Sequence, residues 1–252
     1  LMLECVLKKC DVVIAPTYFS ATAPLKVLAK KYNFRGATMP GFTRAMIPAL
    51  SLDYGEVAKR VEVFADKMDG AIGFSCVFTA GTKEYGSYFD LRFREGHRST
   101  GLMREKKTVS NLPSGEAYIV PYEGEREDEP SKTEGILPVQ FNEEIVLYEI
   151  KNNRAFKVIG EGPAAKRERA FLMEEPAYGN ISEIGIGILG EFGVKACGSI
   201  LLDEKLGLHI AFGRSEHFGG TVSPKSFKKP ENVVHIDRVY VDSLQPDIKI
   251  KE

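Results

Sequence analysis

The sequence predicts an α/β fold, with an N-terminal parallel-sheet α/β segment over residues 1–107 followed by a β-rich α+β domain over residues 108–252. Three observations predict it. Short apolar runs alternate with amphipathic helical stretches before Lys107, the pattern of a parallel sheet with crossovers. After Lys107, short glycine-punctuated strands dominate. The composition, 43% hydrophobic and 27% charged over 252 residues, supports a real core.

The elements follow in order. Leu3, Val6 and Leu7 fall on one helical face, so the first nine residues read as the end of a helix. A chain opening on such a pattern at Leu1 is expected to lack its natural start. Asp11 to Pro16 is a continuous apolar run, typical of a buried parallel strand. Thr22 to Lys31 reads as a helix and Gly36 to Pro40 as a second short strand. Tyr54 to Lys67 is an amphipathic helix with Val57, Val61 and Phe64 on one side, and Gly70 to Phe78 is a third strand.

Beyond Lys107, Glu116 to Pro121 alternates like a strand, and the charged Glu123 to Gly135 reads as a loop. Glu144 to Ile150 and Ala155 to Ile159 flank Asn152-Asn153, a hairpin signal, because Asn tolerates left-handed turn positions. Ala164 to Glu175 is a helix closed by Pro176. Short strands are expected at Ile184 to Ile188, Ser199 to Leu202, His209 to Phe212 and His235 to Val241.

Composition excludes several functions. A net charge of −1 argues against nucleic acid as the main partner. The basic stretch at Lys225, Lys228 and Lys229 reads as a solvated loop. No run approaches the ~18–20 apolar residues of a membrane span, and no signal peptide is visible. Cys5, Cys10, Cys76 and Cys197 form no CxxC pair and read as reduced thiols of a cytoplasmic protein. There is no HExxH, Walker loop, GxSxG or GxGxxG motif. Gly185 and Gly187 read as structural glycines of tight turns.

The chemistry-bearing residues cluster late. On a strand, residues two apart share a face, so His235 and Asp237 can reach one cation together. Glu204 and His209 flank Gly207, which allows a turn between them. Glu183 stands between two isoleucines, an unfavourable place for an unpaired charge, and Glu116 opens a strand. Two imidazoles and four carboxylates suffice for one metal with open positions, or for two metals sharing a carboxylate. Tyr240 reads as core, Arg238 as solvent-exposed, His97 as a solvated loop residue and His217 as a residue lining the cleft.

An ordered series of blocks carries a resemblance. Asn111-Leu-Pro-Ser-Gly-Glu116 with Tyr118-Ile-Val-Pro121, Glu183-Ile-Gly-Ile-Gly187, Asp203-Glu-Lys205 through His209-Ile-Ala-Phe-Gly213, Phe218-Gly-Gly220 and His235-x-Asp237 stand in one order. That series resembles the closing blocks of the thermophilic aminopeptidases, the aminopeptidase T-like metallopeptidases. The resemblance implies a homodimeric hydrolase of short peptides with a cocatalytic pair of divalent ions (Zn, Co or Mn). Glu116, Glu183, Glu204, His209, His235 and Asp237 would be ligands, Glu183 the bridge, and Glu116 and Glu183 the carboxylates nearest the chemistry.

The series also departs from that family. Gly115 stands where the peptidases carry a second Glu, Arg238 where they carry Trp, and Ile188-Leu189 where they carry Thr-Asn. These departures point to a related branch that the chain also resembles, the 2,5-dihydroxypyridine 5,6-dioxygenases, which use a single non-haem Fe(II). His209, His235 and Asp237 have the composition of its facial triad. A metal-binding protein without catalysis is the third reading.

Overall fold

The computed structural model describes residues 2–241 and 244–251, with side chains from residue 4 onward. The first half contains α1 (Met2–Leu7), β1 (Val12–Ala15), α2 (Thr22–Tyr32), β2 (Arg35–Thr38), α3 (Ile47–Leu50), α4 (Tyr54–Asp69), β3 (Gly73–Ala80), β4 (Lys83–Asp90), β5 (His97–Ser99), β6 (Val109–Asn111) and β7 (Glu116–Ile119). The second half contains β8 (Glu134–Phe141), β9 (Glu144–Lys151), β10 (Arg154–Ile159), α5 (Pro163–Glu174), β11 (Ile181–Gly187), α6 (Ile200–Asp203), β12 (Leu208–Gly213), β13 (His235–Tyr240) and β14 (Asp247–Lys251). A small parallel sheet and two larger sheets bear out the mixed α/β class. Two compact units result, each built from three separated stretches.

The first unit comprises Leu1–Val63, Arg98–Glu116 and Gly187–Leu206. Its sheet has the order β1-β2-β6 and is parallel throughout. Leu25 and Ala29, four apart on α2, join Leu7, Phe34 and Val109 in one core cluster. Asn33, left-handed at φ 62°, ends α2 and donates its N–H to the Ala29 carbonyl.

Three expectations change here. Strand β1 is not buried, because Val12 and Ile14 are 50% and 64% exposed. The third parallel strand is β6, and β3 joins a different sheet. The reason is local: Ala80 pairs with Lys83 across the two-residue turn Gly81-Thr82, with Gly81 at φ 65°. So tight a return makes β3 and β4 antiparallel neighbours and leaves no room for a crossover. Finally, residues 200–203 are helical, not a strand, because the Asp203 carboxylate accepts the N–H groups of Cys197 (2.8 Å) and Gly198 (2.9 Å) and closes a turn there.

The second unit comprises Phe64–His97, Ala117–Ile186 and Gly207–Glu252. One sheet runs β10-β9-β8-β4-β3-β14, antiparallel at every pairing. The hairpin expected at Asn152-Asn153 is present, with φ 50° and 61° at the two residues, the signature of a type I′ turn. The other sheet runs β13-β12-β11-β7-β5. The two sheets face each other through Phe78 against Tyr240 (centroids 4.9 Å) and Tyr148 against Phe212 (5.4 Å). Tyr240 is therefore core, as its sequence context implied.

One polar reading is corrected in this unit. Arg238 is not solvent-exposed; it donates to Glu168 at 2.8 Å, and Glu168 also accepts from the buried Tyr148 hydroxyl. Glu123 lies in a loop, as its charged context implied, and is held there. Its carboxylate accepts from Asn180, Ser215 and Thr221, so it ties down the segment after β12. Among the described residues no helix is long and apolar enough to cross a membrane.

Candidate metal centre

The site grows out of three adjacent strands. Strand β11 is buried along its whole length, and β12 lies antiparallel between β11 and β13. Glu183 stands opposite Ala211, which stands opposite Asp237. In the next row Gly185 faces His209, and beyond Ala211 on the same face Gly213 faces His235. Residues two apart point to one face, so all four candidate ligands project to the same side. Each has glycine or alanine as its strand neighbour, and those small residues leave space between the ligands.

A bulge makes this row possible. Ile181 pairs with Phe212 and Glu183 with Ala211, so two residues of β11 oppose one step of β12. In unbroken register Glu183 would face Ile210, whose side chain points to the other face. The inserted residue moves Glu183 onto the histidine face. Gly185 and Gly187 lie in this strand, not in tight turns. At Gly185 an added Cβ would fall 2.1 Å from the His209 ring.

Within this unit the four side chains form a chain of contacts. His209 Nε2 lies 3.1 Å from Glu183 Oε1, and His235 Nε2 lies 3.1 Å from Glu183 Oε2. Asp237 Oδ1 is 3.7 Å from His235 Nε2. Donor atoms of Glu183, His235 and Asp237 all lie within 4.8 Å of one another, a fit for one cation. His235 Nδ1 lies 2.8 Å from the Arg214 carbonyl and donates to it, which leaves Nε2 as the nitrogen for a ligand. No local pattern in the sequence marked that carbonyl.

Electrostatics agree with a cation-seeking site. Burial opposes ionisation of Glu183, but the hydrogen bonds and charge of two histidines hold its carboxyl well below the usual range. Burial disfavours charged His235, yet Glu183 and Asp237 outweigh it and push its pKa up to about 9. His217, whose ring meets His235 edge-on at 5.3 Å, is moved down to about 4 by burial and by positive His235 and Arg214. His217 therefore stands beside the candidate ligand His235. His97 is not a solvated loop residue. It begins β5, stacks on Tyr118 at 4.9 Å and reaches the Phe218 carbonyl at 2.7 Å.

A stability consequence follows from His235. A histidine whose pKa is raised on folding contributes stability that is full below its unfolded value of about 6.5 and is lost as pH rises through about 9. In chelator-treated protein, thermal midpoints should fall between pH 6.5 and 9. The His235→Gln protein should show a flatter profile over that window; an unchanged slope would rule out this coupling.

The remaining two candidates, Glu116 and Glu204, belong to the first unit. There the Lys205 ammonium lies 2.5 Å from Glu116 Oε1 and 2.5 Å from Glu204 Oε1, and all three are buried. Burial works against the charged lysine, but the two carboxylates outweigh it and raise its pKa. The sequence reading missed Lys205. Its one signal was a lysine beside Glu204 in a stretch that ends in a buried strand. Gly115, next to Glu116, has φ 151°, and an added Cβ would meet Leu189 Cδ2 at 2.6 Å. A side chain there would strain the backbone and require Leu189 to shift.

No family model and no curated protein matches this sequence. Solved structures do match. One is the 2,5-dihydroxypyridine dioxygenase of Pseudomonas putida KT2440, with a TM-score of 0.66 and 17% identity over 94% of this chain and 68% of that one. Another is AmpT of Thermus thermophilus, a thermophilic aminopeptidase, with a TM-score of 0.61 and 13% identity over 99% and 75%. The chain shares its fold with both enzymes. At these identities the relationship is one of structure, and the chemistry has to be argued from the site.

Proposed function

We propose that the chain is a divalent-metal hydrolase that removes N-terminal residues from short peptides. One observation carries the reading: Glu183, His235 and Asp237, two carboxylates and one imidazole, form a compact donor group within one unit. Three protein ligands with an open position is the pattern of a hydrolytic metal site. A bound divalent cation of this kind polarises a carbonyl and makes water nucleophilic at neutral pH. The chain's own groups prepare for it. His209 holds one Glu183 oxygen and so orients the carboxylate, while the Arg214 carbonyl fixes the His235 ring. Glu123 pins Ser215 and Thr221, which frame the segment carrying His217.

A second reading has its own support. Gly115 carries no carboxylate, so the glutamate that the peptidases carry there has no counterpart at this position. His209, His235 and Asp237 have the composition of an Fe(II) facial triad, which suits a dioxygenase acting on a dihydroxylated ring. Against it, Glu183 lies between the two imidazoles.

The experiment sets the readings side by side. Protein loaded with Zn²⁺, Co²⁺ or Mn²⁺ should release N-terminal residues from a panel of short peptides, and chelator should stop it. No turnover on any peptide, together with O₂ consumption by Fe(II)-loaded protein on a dihydroxypyridine, would replace the hydrolase with the oxygenase.

A further inference from the structure

We propose that Lys205 is a built-in cation that takes Glu116 and Glu204 out of metal binding, so that the chain holds one divalent ion. The inference rests on the reading of Glu183, His235 and Asp237 as metal ligands, and it concerns the number of ions, not the reaction. Six candidate ligands invite a two-ion site, but two of the six are already engaged. The ammonium is held at 2.5 Å by one oxygen of each glutamate. Lys205 is only 2% exposed, so its ammonium is enclosed together with the two carboxylates.

The lysine backbone is also locked. Its carbonyl accepts the Leu189 N–H at 2.8 Å, and its own N–H bonds the Leu202 carbonyl at 2.9 Å. Gly187 packs so closely that a Cβ there would come 2.0 Å from the Lys205 carbonyl carbon. Lys205 therefore cannot retreat with its backbone. Its charge offsets one of the two carboxylates, whereas Glu183 lies 3.1 Å from each of two imidazoles and Asp237 lies 3.7 Å from one. A divalent ion near Lys205 would meet a cation that stays charged, whereas at Glu183 and Asp237 it meets imidazoles that can give up their protons and become ligands themselves.

Metal counting on the full chain tests this, with no need for turnover. After equilibration with Mn²⁺ and dialysis, the protein should retain one ion per chain and give the hyperfine-resolved resonance of an isolated Mn²⁺. Glu116→Gln and Glu204→Gln should keep that ion with affinity changed by less than about tenfold, below the loss typical of groups supporting a metal ligand. Asp237→Asn should release it. Folded Lys205→Ala should take up a second ion. Two ions in the unaltered protein, loss of the ion in either glutamate variant, or a count still at one in folded Lys205→Ala would overturn the proposal. Should Lys205→Ala not fold, the glutamate variants decide. No ion retained by the unaltered protein would overturn the metal reading itself.

Discussion

Replacing Glu183 with alanine should abolish metal retention and reduce metal-dependent turnover by at least about a thousandfold, the upper range for removing one charge-stabilising group from an active site. Both imidazoles converge on this one carboxylate, with Nε2 of each 3.1 Å from a different oxygen. Removing it strips a ligand, takes a hydrogen-bond partner from His209 and withdraws the hydrogen bond that keeps His235 charged in the metal-free protein. Glu183→Gln preserves the shape while removing the charge, and it should lose most of the metal affinity as well. Metal content after dialysis and kcat/KM on the best peptide provide the check. A Glu183→Ala protein that keeps its ion and its activity would show that this carboxylate is not the centre of the site.

Gly187→Ala should destabilise the fold by more than about 4 kcal/mol, placing it among the exceptional substitutions. The new Cβ would sit 2.0 Å and 2.4 Å from backbone atoms of Lys205 and 2.5 Å from the Glu204 carbonyl oxygen. Backbone cannot swing aside as a side chain does, so the strand or the α6 turn must move. Gly185→Ala makes a useful contrast, because the three atoms nearest its Cβ all belong to the His209 ring rather than to backbone. That protein should stay folded and lose metal. Gly193→Ala has nothing within 4 Å and carries only the strain of φ 81°, worth about 1 kcal/mol. Urea titration of the three should rank them in that order, with Gly187→Ala insoluble or largely unfolded. A Gly187→Ala protein as stable as Gly193→Ala would contradict the packing.

Much of the site was legible because strand geometry is local. His235 and Asp237 share a face by the two-residue period alone, and β13 places them so. Asn152-Asn153 specified its hairpin through left-handed turn positions. Glu183 among isoleucines announced a buried charge that needed partners. Helices α2 and α4 followed from apolar spacing, with Val57, Val61, Ala65 and Met68 all buried along α4.

Other features depended on pairing between distant segments. Short apolar runs look alike whether their partner is parallel or antiparallel, so β3 was placed in the wrong sheet and the partnership of β6 with β2 went unseen. The bulge that moves Glu183 opposite Ala211 exists only in the register between β11 and β12. Arg238 looked exposed because Glu168, the carboxylate it meets, lies 70 residues away.

The sequence by itself determined which residue types could hold a cation and which of them share a strand face, because side-chain chemistry and the period of two are properties of neighbours along the chain. Only the tertiary structure decided which glutamates turn to the imidazoles and which to an ammonium. Glu183 meets His209 and His235 across strands, whereas Glu116 reaches Lys205 from 89 positions away. A carboxylate acquires its partner from whatever the fold brings within about 3 Å of it, and no spacing along the chain encodes that distance.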